Sequence, residues 1–267
     1  MNEVQLQNLQ TWFDNYVTGF YGDDDYLNAN IRLKQEHSKR VTDEILYLAD
    51  ELALDANQRR VAQAAALLHD VGRFEQFKKY RTYNDPRSVN HCLLGLEILR
   101  SKGALDGLEE REKQIIEKAI EYHGARELPA ELNGELLLHC KLLRDADKID
   151  IYYVLISNYQ AYRENSESFI LEVDLPDEPG YSSEVVDDIL AGRSTDYSRL
   201  RKLNDLKLLQ LGWVFDVNYP QTLSRIRQRR FLEAICALLP ATDDIEKVKA
   251  KVFGFVDKRK GAQTNGS

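Results

Sequence analysis

The chain has 267 residues, a formal net charge of −8 and a sequence pI near 5.3, a balance that argues against a whole-surface electrostatic grip on nucleic acid or an anionic membrane and leaves only local basic pockets for anions. Hydrophobic residues make up 43% and charged residues 30%, which allows a sizeable core and excludes a disordered or low-complexity chain. No apolar run approaches the roughly 20 residues that span a bilayer, and Met1-Asn2-Glu3-Val4-Gln5-Leu6 lacks the basic and apolar regions of a secretory leader.

Helical periodicity dominates in chain order. Residues 1–27 read as an N-terminal helical extension. Val41, Ile45, Leu48 and Leu52 recur at i, i+4, i+7 and i+11, one face of a helix. Asp55 and Gln58 have capping-box spacing, with Asp in place of Ser or Thr, and predict the start of the next helix. That helix runs through Val61, Ala64, Ala65 and Leu68 and is expected to stop near Gly72. The segment 73–87, with Asn84-Asp85-Pro86, reads as a loop. Helices follow around 88–101, 110–123 and 134–162.

From about residue 165 the pattern loosens. Phe169 to Val173 is short and extended in character, and Leu175-Pro176-Asp177-Glu178-Pro179-Gly180 is turn-rich. Helices return around 182–191, 203–215, 219–238 and 243–258, and 261–267 reads as a disordered tail. The expected organisation is all-α: a helical core over 28–164 and a smaller C-terminal helical lobe over 165–260.

Three cysteines (Cys92, Cys140 and Cys236) lie far apart with no Cys-x-x-Cys pair. This argues for free thiols in a reducing compartment, with cytoplasm as the expected location, and against a disulfide framework or a thiolate zinc site.

The histidines carry the chemistry. At about 100° per residue, His37 continues the Val41/Ile45 face, His69 ends the Val61/Ala65/Leu68 stripe, His91 leads Leu94 and Ile98, and His123 ends Ile116 and Ile120. Asp70 follows His69, and Asp147 sits on the stripe Leu136, Cys140, Leu143, Ile151, Val154. Any one such histidine is more often a hydrogen-bonded core residue than a ligand. A buried unpaired carboxylate costs several kcal/mol. Two carboxylates and four imidazoles on inward faces therefore call for a compensating divalent ion, with Mn, Fe, Co, Ni and Zn all suited to the donor set. His139 lies about 80° from the Asp147 face and reads as structural or as a support to the ligands.

The order His37, His69-Asp70, His91, His123, Asp147, with Ala66-Leu67-Leu68-His69-Asp70-Val71-Gly72-Arg73-Phe74 and Leu143-Arg144-Asp145-Ala146-Asp147-Lys148-Ile149-Asp150, resembles the HD superfamily of metal-dependent phosphohydrolases. The resemblance implies an HD-domain helical bundle and a ligand at Asp147 rather than at Asp145 or Asp150. It also implies a binuclear site, with one ion on His37, His69 and Asp147, a second on His91 and His123, and Asp70 bridging. Certain one-metal HD nucleotidases carry a catalytic Glu where this chain has Arg73.

The implied activity is hydrolysis of a phosphate ester or anhydride in a nucleotide or nucleotide-derived signal, with Asp70, Arg73 and Lys148 as catalytic candidates. The alternatives are a di-iron oxygenase resembling myo-inositol oxygenase, which uses the same six residues, and a non-catalytic HD binding module. The expected partner is a small phosphorylated substrate, with neither membrane nor nucleic acid. Lys78, Lys79, Arg81 and Arg87 form a basic patch, and Tyr80, Tyr83 and Tyr152 are placed to stack or to pack. Leu211 to Pro220 is apolar enough for core or for a homo-oligomer interface. The Arg225, Arg227, Arg229, Arg230 run is expected to be a solvated face.

Overall fold

A computed structural model describes residues 1–164 and 175–264, with side chains described as far as Arg259. The expected segment Phe169–Val173 lies outside the described residues. The chain is all-α, with no strand among the described residues. It divides into two compact units, Met1–Asp150 and Ile151–Ser267. The division falls inside the long helix Gly134–Glu164, whose two halves pack with different units.

The first unit opens with α1 (Glu3–Thr18), whose stripe Leu6, Leu9, Phe13 and Val17 is buried and packs on α3 (Ala56–Leu68). In sequence between them, α2 (Asp25–Glu51) buries Ile31, Val41, Ile45 and Leu48 and packs mainly on α3. Asp55 caps α3 through bonds from the Asn57 and Gln58 amides, and Gln58 reaches back to the Asp55 amide, completing the box that the sequence indicated.

The loop expected over 73–87 is largely helix. α4 spans Val71–Tyr80, and only a 3₁₀ turn at Asp85–Arg87 answers to the Asn84-Asp85-Pro86 signal. Val71, Phe74 and Phe77, all fully buried, supply the helical period, and Phe74 meets Phe13, Tyr16 and Phe20 edge-on or tilted. Gly72 does not end α3. It lies within α4, where α5 (His91–Ser101) crosses so closely that a Cβ would sit 2.1 Å from the His91 carbonyl oxygen. α6 (Glu110–Tyr122) packs on α3 and α5, and α7 (Gly134–Glu164) buries Cys140, Leu142, Leu143, Ala146 and Ile149 in the first unit. The expected basic patch is dispersed: Arg81 pairs with Asp24 at 2.7 Å, Lys78 lies over Phe20 and Lys79 over Tyr80.

In the second unit, α8 (Ser183–Leu190) packs on α9 (Leu203–Gly212) and on the last helix, α12 (Asp243–Thr264). α12 continues past the point at which a tail was expected, and residues 265–267 lie outside the described residues. The helix expected over 219–238 is two helices, α10 (Pro220–Gln228) and α11 (Phe231–Cys236), broken where Arg230 takes a left-handed φ of 57°. Within Leu211–Pro220, Leu211 and Val214 are fully buried core. Tyr152 is also fully buried, packed by Trp213 and Phe231 with its hydroxyl donating to the Gln210 carbonyl, so stacking on a ligand is not its role. Among the described residues no helix is long and apolar enough to cross a membrane.

Candidate metal centre

All six residues singled out by the sequence lie in the first unit and converge. His37 and Asp147 project from within α2 and α7. The other four stand at helix ends: His69 closes α3, Asp70 begins α4, His91 is the first residue of α5 and His123 closes α6.

Helix ends suit this arrangement because the last carbonyls of a helix have no intrahelical donor. His69 Nδ1 donates to the Ala66 carbonyl at 2.7 Å, and His123 Nδ1 to the Ile120 carbonyl at 2.8 Å. The other two imidazoles are held by carboxylates, His37 Nδ1 by Asp150 and His91 Nδ1 by Asp85, each at 2.6 Å. All four rings thus have Nδ1 engaged outward, which turns Nε2 inward, the orientation that a ligating histidine needs.

The inward atoms form two groups. His37 Nε2 and His69 Nε2 are 3.2 Å apart, and Asp70 Oδ2 lies 3.4 and 3.6 Å from them. Asp147 Oδ1 joins this group at 3.2 and 3.7 Å from the same nitrogens. His91 Nε2 and His123 Nε2 are 3.1 Å apart, and Asp70 Oδ1 lies 3.6 and 3.8 Å from them. Each Asp70 oxygen therefore faces one imidazole pair.

Four carboxylates surround these rings, and three have a basic partner. Lys34 Nζ reaches Asp70 Oδ2 at 2.9 Å, Arg40 Nε reaches Asp150 at 2.6 Å and Arg73 Nη1 reaches Asp85 at 2.7 Å. Among the described residues Asp147 faces only imidazoles, and its buried Oδ1 has no hydrogen-bond partner there. Burial would raise the Asp70 carboxyl, but Lys34, His69, His123 and Arg73 hold it well below the ordinary value. Asp147 is likewise held down, against its burial, by His37, His69 and His123. Burial drives His69 down to about 4, which keeps its Nε2 lone pair available at neutral pH. Burial and Lys34 push His37 down too, but Asp147 and Asp150 more than reverse this.

The donor set fits a divalent ion on these grounds. Two pairs of imidazole nitrogens converge at 3.1–3.2 Å beside ionised carboxylate oxygens, one of which lacks any hydrogen-bond donor. Three clusters could hold a metal: His37-His69-Asp70, His69-His123-Asp147, and His91-Cys92-His123.

Arg73 is tied into the scaffold. Its Nη1 donates to Gln76 Oε1, the Tyr83 carbonyl and Asp85, while its Nε stands 3.6 Å from Asp70 Oδ1. Lys148 is half-buried beside Asp147. His139 lies apart, its ring nitrogens on the Glu135 and Gln58 carbonyls. Asp145 is fully buried and enters none of the three clusters.

Sequence reasoning missed Lys34, Asp85 and Cys92, and weighed Asp150 only as a rival ligand. Lys34 and Asp150 stand one helical turn from His37 and Asp147, a visible i, i+3 signal. Asp85 was hidden as a turn residue. Because a carboxylate that fixes a ligating ring adds roughly 10–100-fold to metal affinity, Asp85→Asn is expected to weaken one bound ion by that factor and to spare the other. Competition titration with a chelating dye measures both affinities.

Residues 35–152 match the family model of the HD domain, a class made up mostly of metal-dependent hydrolases. No curated protein and no solved structure matches the chain.

Proposed function

Because residues 35–152 carry the HD domain, we propose that this protein is a metal-dependent phosphohydrolase that cleaves a small phosphate ester or anhydride, in a nucleotide or nucleotide-derived signal. One observation carries the reading: both oxygens of Asp70 face inward, each toward its own pair of imidazole Nε2 atoms.

His37, His69, Asp70 Oδ2 and Asp147 would hold one ion, and His91, His123 and Asp70 Oδ1 the other. When bound, such a pair supplies the Lewis acidity that brings the pKa of a water toward neutrality and offsets charge on phosphoryl oxygens. Asp150 and Asp85 fix the tautomers of His37 and His91 and hold their rings in place. The low exposure of the donors keeps bulk water from screening the charges that act on substrate. Lys34, only partly exposed and 5.2 Å from the centre of the Tyr83 ring, adds a cation beside Asp70.

Arg73 acts here through Asp85. Arg73→Ala is expected to lower kcat/KM at least ~10-fold and to loosen the His91–His123 ion, since a hydrogen bond between charged groups is worth about 1.5–3 kcal/mol. Metal analysis of that variant beside its kinetics checks this, and wild-type values in both would remove Arg73 from the site.

The activity is tested by incubating nucleotides, cyclic dinucleotides and dinucleoside polyphosphates with Mn²⁺ in the absence of oxygen and separating the hydrolysis products by chromatography, because the last two classes can be cleaved without releasing phosphate. Turnover of any one class is the expected result. Oxygen consumption with iron and no hydrolysis product would replace this reading with an oxygenase.

A further inference from the structure

Cys92 follows His91 in the first turn of α5 and is 3% exposed. Its Sγ lies 3.4 Å from His91 Nε2, 4.0 Å from His123 Nε2 and 3.6 Å from His123 Nδ1. The spacing of cysteines along the sequence gives no hint of a thiolate site, because the other donors are the adjacent His91 and residues from the starts and ends of other helices, Asp70 and His123, rather than a second cysteine.

The distances bracket those of a ligand shell. With Zn–N near 2.0–2.1 Å and Zn–S near 2.3 Å, donors at tetrahedral corners stand roughly 3.3–3.6 Å apart. The His91–His123 nitrogen pair is at 3.1 Å, the sulfur-to-Nε2 distances are 3.4 and 4.0 Å, and Asp70 Oδ1 is 3.6 and 3.8 Å from the nitrogens. Room for this is left on purpose by the chain: the residue after His123 is Gly124, where a Cβ would meet Cys92 Sγ at 3.3 Å and His91 Cε1 at 3.4 Å.

Resting on the reading that His91 and His123 hold a metal, we propose that Cys92 is a further ligand of that ion. The resulting set of two nitrogens, one oxygen and one sulfur selects a borderline-soft divalent ion such as zinc. The His37–His69–Asp70–Asp147 group offers only nitrogen and oxygen and suits manganese or iron, so the two positions differ in preference. On ligation the S–H bond breaks, its proton leaves to solvent and the sulfur lone pair forms the bond to the metal.

The test is a titration of the full-length chain with Cd²⁺ and with Co²⁺, followed by ultraviolet and visible absorption. A thiolate-to-metal charge-transfer band should appear and saturate at one equivalent per chain. It should persist in Cys140→Ser and vanish in Cys92→Ser, which should also lose at least ~10-fold in zinc affinity at one position. Circular dichroism of the variants controls for folding, and the wild-type spectrum is informative without them. A wild-type chain that binds two ions with no such band, or a band retained in Cys92→Ser, overturns the proposal and leaves the phosphohydrolase reading standing. A chain that binds no ion overturns both.

Discussion

Asp70→Asn is expected to lose activity by at least ~10³-fold, within the range for removing a principal electrostatic element of a catalytic centre. Asp70 is the one side chain among the described residues whose two oxygens each face a separate imidazole pair. The substitution keeps volume and shape but removes the charge and one strong donor oxygen. Both ions should therefore bind more weakly, unlike in Asp85→Asn, where only one should. The fold should survive, since no cavity opens and a buried charge is removed. Removing the charge also releases Lys34 from its 2.9 Å contact, which adds to the loss at the same place. His139→Gln is the matched comparison: it alters a buried histidine bound only to carbonyls and should leave metal content unchanged. Kinetics, metal content and circular dichroism of the two variants side by side decide the matter. Retention of both ions and activity in Asp70→Asn would reassign the ligands.

Gly72→Ala should produce the largest loss of stability. The added Cβ would lie 2.1 Å from the His91 carbonyl oxygen and 2.7 Å from the Gly95 amide nitrogen. Both are backbone atoms, so no rotamer change relieves the clash and α4 must move away from α5. Overpacking that side chains can absorb costs about 1–3 kcal/mol. Here the cost is expected to reach ~3 kcal/mol or more, a fall in Tm of roughly 6–12 °C for a chain of this size. His91 is the first residue of α5, so the same displacement should weaken the ion held by His91 and His123 before it affects the His37 group. Gly95→Ala tests the geometry from the facing side. Its Cβ would meet the Gly72 amide nitrogen at 3.3 Å, a contact that a small shift relieves, and its effect should stay below ~1.5 kcal/mol. Equal Tm values for the two variants would contradict the close crossing.

The contrast between Gly72 and Asp55 shows what a sequence can carry. The Asp55–Gln58 box is local: donors and acceptors lie within three residues, and the expected helix start is the observed one. Gly72 carries the same local signal as a helix-ending glycine, but its reason is a helix that begins at His91, and no local pattern reports that crossing. The break at Arg229–Arg230 was invisible for a related reason, since the left-handed residue is an arginine with neither Gly nor Pro to mark it. Within the site, five of the six candidate donors were legible because each begins, continues or ends an apolar stripe, and Asp70 because it adjoins His69. Of the four groups that orient the imidazoles, three were not. Two are backbone carbonyls, at Ala66 and Ile120, and one is Asp85 in a turn. Cys92 was passed over because its partner His123 comes from a separate helix.

Two inward donor groups share Asp70, and metal stoichiometry tests that arrangement most directly. The chain is stripped with chelator, reloaded with a mixture of Mn²⁺ and Zn²⁺, freed of excess ion, and assayed for metal by mass spectrometry and for substrate hydrolysis on the same sample. The expected result is two ions per chain, with activity absent from the stripped protein and restored as the second ion binds. A fully active chain carrying one ion would contradict the shared-carboxylate centre and return one imidazole pair to a structural role.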